Sequence, residues 1–115
     1  MSHDLLEKIV KKSVKSKSSI DDIVVFFESF HKGEYIYPSV VKRNFNLEVN
    51  EVYKILSSLE QNDFLKIYYE FFCYTCNSCS QLFEYFSQLK ESYICNICEQ
   101  ELSINNVKVV YKVIK

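Results

Sequence analysis

A single glycine and a single proline in 115 residues leave no room for the Gly-rich loops that cradle phosphate or dinucleotides, which need several glycines at fixed spacing. Histidine is nearly as scarce. His3 and His31 are the only two, and neither stands in a His-Glu-x-x-His or His-x-Glu setting. His31 suits the C-terminal end of a helix, where a cation complements the dipole. With no Ser/His/acid grouping either, the sequence predicts no enzyme and no small-molecule substrate. No apolar run approaches the roughly 20 residues of a membrane-spanning helix, and Met1-Ser2-His3-Asp4 lacks the pattern of a secretory leader. The expectation is a cytoplasmic protein without membrane association. What the chain does have is a 48% hydrophobic and 16% aromatic composition, enough for a packed core in one ordinary domain or two very small ones.

Five cysteines stand against this sparse background. Cys76-Asn77-Ser78-Cys79 is followed, after fifteen residues, by Cys95-Asn96-Ile97-Cys98. Two Cys-x-x-Cys pairs at that separation have the spacing of a four-thiolate zinc site. Zinc accepts four thiolates tetrahedrally, and four close the site to water and substrate, so the expected cofactor is one structural Zn²⁺. Disulfides are the competing use, disfavoured in a reducing compartment. Knuckles of this type often place glycine after the second Cys to reach positive φ. Here Ser80 and Glu99 take those places, and Asn77 and Asn96 are candidates to supply the turn chemistry. Cys73 extends the first cluster to Cys-x-x-Cys-x-x-Cys and makes ligand assignment there ambiguous. It is read as a buried strand residue, which leaves Cys76, Cys79, Cys95 and Cys98 as the expected ligands.

Charge is unevenly spread. Residues 1–17 carry +3, residues 18–72 carry −4, and residues 73–115 are balanced. The basic end consists of Lys8, Lys11, Lys12, Lys15 and Lys17. It reads as a Lys-rich helix or arm over 1–17, either a phosphate-binding arm or an ordinary solvated helix face.

Hydrophobic period organises the rest. Leu6, Val10 and Val14, beside Leu5 and Ile9, predict a helix over 4–15. Ile20, Ile23, Val24, Phe27 and Phe30 predict a second, starting near Ser18 or Ser19 and ended by Gly33. Pro38 begins a short third helix, with Val41 and Phe45 on one face. After a turn at Asn46-Leu47, Val52, Ile55, Leu56 and Leu59 mark a fourth helix to about Gln61. The period then becomes two: Leu65, Ile67, Tyr69, Phe71 and Cys73 suit burial, and Lys66, Tyr68 and Glu70 suit solvent. Strands are also expected at 81–86 and across Val107, Val109, Tyr111 and Val113.

This order of elements over 18–72 resembles a winged helix-turn-helix, and 73–115 resembles a zinc ribbon. The fold class expected is α+β, with the winged domain joined through its wing strand to the ribbon. The module order is similar to archaeal transcription factor E. That resemblance implies nucleic-acid contact through Lys42, Arg43, Asn50 and Lys54 together with the N-terminal lysines. Against it stand Glu48 and Glu51 at the start of the fourth helix. Many aromatics (Tyr35, Tyr37, Tyr53, Tyr68, Phe72, Tyr74, Tyr85 and Tyr93) suit a protein interface instead. The favoured expectation is a non-catalytic adaptor docking on a protein partner through Glu48, Glu51, Tyr53, Tyr68 and Phe72. The alternative is a DNA-binding or RNA-polymerase-associated regulator.

Overall fold

The computed structural model describes residues 2–15, 19–89 and 92–115; the side chains of 78–81, Phe86 and Ser92 lie outside that description. Among the described residues, four helices and six strands form a mixed α+β fold. It divides into two compact units, Met1–Lys66 with Tyr111–Lys115, and Ile67–Val110.

In the first unit, α1 (His3–Ser13) buries Leu6, Ile9, Val10 and Ser13, one helical stripe. Ser13 Oγ satisfies itself by donating to the Ile9 carbonyl at 2.8 Å. Asp4 in the first turn and Lys11 and Lys12 in the last complement the helix dipole. α2 (Ile20–Glu28) buries Ile20, Ile23, Val24 and Phe27. It ends before the expected stop at Gly33, and Phe30 lies beyond it. Just past its end the Ser29 hydroxyl turns back onto the Phe26 carbonyl at 2.5 Å. Gly33 serves a later turn at φ 95, a conformation an L side chain rarely adopts. There its N–H donates to the Val113 carbonyl, and the Val113 N–H donates to Glu34, both at 2.8 Å.

Pro38 occupies the first turn of α3 (Pro38–Phe45), where its missing N–H costs nothing. Asn46 caps that helix in the left-handed region, φ 50 and ψ 45, which asparagine tolerates better than most residues. α4 (Val49–Gln61) buries Val52, Ile55, Leu56 and Leu59 as expected. α1 packs on both α2 and α4, and α3 packs on α4. Each fully buried Leu, Ile or Phe in this core is worth about 1.5–3 kcal/mol of transfer free energy.

β1 (Tyr35–Ile36), β2 (Leu65–Cys73), β3 (Ser78–Phe83) and β6 (Val107–Val113) form an antiparallel sheet in the order β1-β6-β2-β3; β4 (Ser92–Ile94) pairs with β5 (Glu101–Ser103). β3 starts at Ser78, not Gln81, because the chain already reverses over 74–77. A register shift at Phe71/Phe72 marks a bulge. The alternation expected of β2 holds only in part: Lys66, Ile67, Tyr68 and Tyr69 are all half-buried, and Glu70 is 2% exposed beside the fully buried Phe71. Both faces of the strand are covered there. Within the second unit, Phe71, Cys73, Cys95 and Leu102 are buried, with Cys76, Phe83, Leu89, Tyr93 and Val107 packed around them.

Candidate metal centre

Two chain reversals bring four thiols together. Cys73 is the last residue of β2, Cys76 lies in the 74–77 turn, and Asn77 turns the chain at φ 54. Cys95 follows β4, Cys98 lies in the next turn, and Glu99 turns the chain at φ 61. The second reversal is fastened by Cys95 N–H to the Gln100 carbonyl (2.9 Å) and Glu99 N–H to the Cys95 carbonyl (3.0 Å). Both reversals therefore follow one plan, Cys-x-x-Cys and then a residue in the left-handed region. Phe71 and Tyr93 stack behind them at 5.2 Å between ring centroids, with Phe83 edge-on to both.

The Sγ atoms of Cys73, Cys76, Cys95 and Cys98 all lie within 4.8 Å of one another. Cys73 and Cys98 are 3.5 Å apart, as are Cys76 and Cys95. Among the described residues, none of the four is joined in a disulfide. A zinc ion with sulfurs at about 2.3 Å in a tetrahedron has S···S edges of about 3.8 Å. The donor set therefore has the size and the softness to bind a metal ion.

Electrostatics points the same way. The Cys76 backbone N–H holds the Cys73 thiol below its ordinary range, against the opposing effect of burial. Cys98 behaves oppositely: a backbone N–H from Gln100 pulls its pKa down, but the Cys73 sulfur, partial desolvation, and the Cys76 and Cys95 sulfurs together push it up to about 12. A thiolate at Cys73 is favoured in this cluster and one at Cys98 is resisted. A central divalent cation removes that resistance. With four sulfurs around it, such an ion has no position open for substrate.

Cys73 is the buried strand residue expected, and the grouping adds its sulfur to those of Cys76, Cys95 and Cys98. It is fully buried at the end of its strand. The side chain of Cys79 lies outside the described residues; its backbone pairs with Phe72 in the β2–β3 ladder. A signal for Cys73 was present. Cys73-x-x-Cys76 stands eighteen residues from Cys95, also within the range for a four-thiolate site, and it is Cys76 that precedes an asparagine able to take positive φ.

The other sequence candidates scatter over both units. Glu51 is buried, 7% exposed. Its carboxylate accepts the Glu48 N–H (3.0 Å) and the Lys15 N–H (2.9 Å), both of which hold its pKa down. It caps α4 and fastens the segment after α1, so its expected place on an interface is withdrawn. Glu48 is exposed, 3.9 Å from Lys15 Nζ. Lys8 and Lys11 are exposed on α1, with Lys11 paired to Glu7 at 2.6 Å. Lys17 lies outside the described residues. Lys12, Asn50, Tyr53 and Lys54 line one open groove between α1 and α4. A second groove, about 210 Å³, is bordered by Pro38, Ser39, Lys42, Val49, Val52 and Tyr53. Arg43 is exposed on the last turn of α3.

In the second unit, Tyr68 donates to Glu84 Oε1 at 3.5 Å. Phe72 is half-buried beneath Lys108 Nζ, 4.0 Å from its ring centroid, so it is already partly covered. His31 is exposed, and His3 bridges Glu28 and Glu7, with Glu28 chiefly raising its pKa. No helix among the described residues is long and apolar enough to cross a membrane. Compared with known protein families, curated proteins and solved structures, the chain matches none.

Proposed function

We propose that the chain is a small, non-catalytic zinc-binding adaptor, with a winged helix-turn-helix over its helical part and a zinc ribbon held by Cys73, Cys76, Cys95 and Cys98. The helix order and the four-sulfur cluster support the two modules. The observation that carries the adaptor reading is the groove between α3 and α4. Val49 is 54% exposed and Tyr53 39% exposed at its edge, with Pro38 and Val52 completing an apolar lining. Exposed apolar and aromatic groups at the start of a recognition-type helix serve a protein partner better than a phosphate backbone.

Nucleic-acid binding remains the second reading, and one observation favours it. Lys12 joins Asn50 and Lys54 in one groove, and burial of Glu51 removes one of the two acidic groups that opposed it. A duplex-DNA titration at near-physiological salt separates the two. The adaptor reading expects weak binding that falls further with salt and is lost in Lys12→Ala/Lys54→Ala. Tight, sequence-selective binding that depends on Asn50 would replace the adaptor with a regulator.

A further inference from the structure

We propose that the thiolate centre is also an oxidation site, in which a peroxide enters at Cys98, links it to Cys73, and expels the metal. The inference rests on the zinc reading above. Its basis is an asymmetry among the four sulfurs. Cys98 is exposed and Cys76 intermediate, whereas Cys73 and Cys95 are buried, at 0% and 1% exposure. An oxidant from solvent therefore meets Cys98 first. The Cys73 sulfur stands 3.5 Å from it, close enough to act as a resolving thiol after modest closure.

The chemistry balances with hydrogen peroxide as the two-electron oxidant. The Cys98 thiolate attacks one peroxide oxygen, the O–O bond breaks, and a sulfenic acid forms with loss of hydroxide. The Cys73 thiolate then attacks the Cys98 sulfur, an S–S bond forms, and a second hydroxide leaves. Two protons from solvent convert the hydroxides to water. Only Cys76 and Cys95 then remain as ligands, too few to hold a structural zinc. Their own 3.5 Å separation allows a second peroxide to close a second disulfide. The consequence is a metal centre that a thiol reductant and zinc restore.

The test uses the zinc-loaded full chain, titrated with hydrogen peroxide, with released metal read by a chromogenic chelator and disulfides mapped by non-reducing mass spectrometry. Zinc release with the first equivalents, accompanied by a Cys73–Cys98 linkage and reversed by reductant plus zinc, is the expected result. Retained zinc, a first linkage within Cys95–Cys98, or a linkage through Cys79 overturns the proposal. A second arm uses Cys98→His, which keeps four ligands but removes the entry thiol. Zinc release should slow by about tenfold or more; release at the wild-type rate overturns it. A chain purified without any zinc would instead refute the metal reading beneath it.

Discussion

Asn77 and Glu99 occupy equivalent positions, each directly after the second cysteine of a Cys-x-x-Cys and each with φ near +60° (54 and 61). The equivalence appears only when the first pair is Cys73 and Cys76. An L residue in that region is strained by roughly 1–2 kcal/mol, less for asparagine, whose short polar side chain bonds locally.

The strain makes the two positions differ in a measurable way. Glu99→Gly should stabilise the zinc-loaded chain, by up to about 1 kcal/mol. Asn77→Gly should do less, because asparagine already tolerates the conformation. A β-branched residue at either place should destabilise by more than glycine gains. Chemical denaturation of the loaded protein with matched zinc measures all three.

Glu51 is the second point of leverage. Glu51→Ala leaves the Lys15 and Glu48 N–H groups without their acceptor and should cost about 1–3 kcal/mol; Glu51→Gln, which keeps an acceptor, should cost less. The pH dependence follows from the direction of the shift. The folded-state pKa of Glu51 is lowered from 4.5, so its contribution is fully present above that value and is lost as pH falls through the lower folded-state pKa. Denaturation midpoints of wild type and Glu51→Gln should therefore converge in acid. A gap that stays constant down to low pH would show that the carboxylate's charge plays no part.

Elements governed by local period were legible in the sequence. Val52, Ile55, Leu56 and Leu59 recur at helical spacing and are buried together in α4, and Pro38 announced the start of α3. What escaped depends on distant partners or on where a turn falls. Nothing local to Glu51 reveals that its acceptor role reaches Lys15, 36 residues away. α2 ends at Glu28, ahead of the expected Gly33, where the Ser29 hydroxyl bonds back to the Phe26 carbonyl. The cluster itself was legible for Cys76, Cys95 and Cys98; Cys73 joins them, and the side chain of Cys79 lies outside the described residues. Cys73-x-x-Cys76 and Cys76-x-x-Cys79 have the same spacing, and the choice rests on hairpin register. With the reversal at 74–77, Cys73 ends β2, Cys76 sits in the turn, and the backbone of Cys79 is carried into β3.

That choice is the centre of the account, and metal content measures it most directly. Zinc is quantified by inductively coupled plasma mass spectrometry on the purified wild type, Cys73→Ser and Cys79→Ser chains. Because metal binding and folding of such a site are one free energy, loss of a true ligand should lower zinc content and loosen the second unit together. The account predicts one zinc per chain in the wild type and in Cys79→Ser, and its loss in Cys73→Ser. Zinc retained by Cys73→Ser and lost from Cys79→Ser would contradict it.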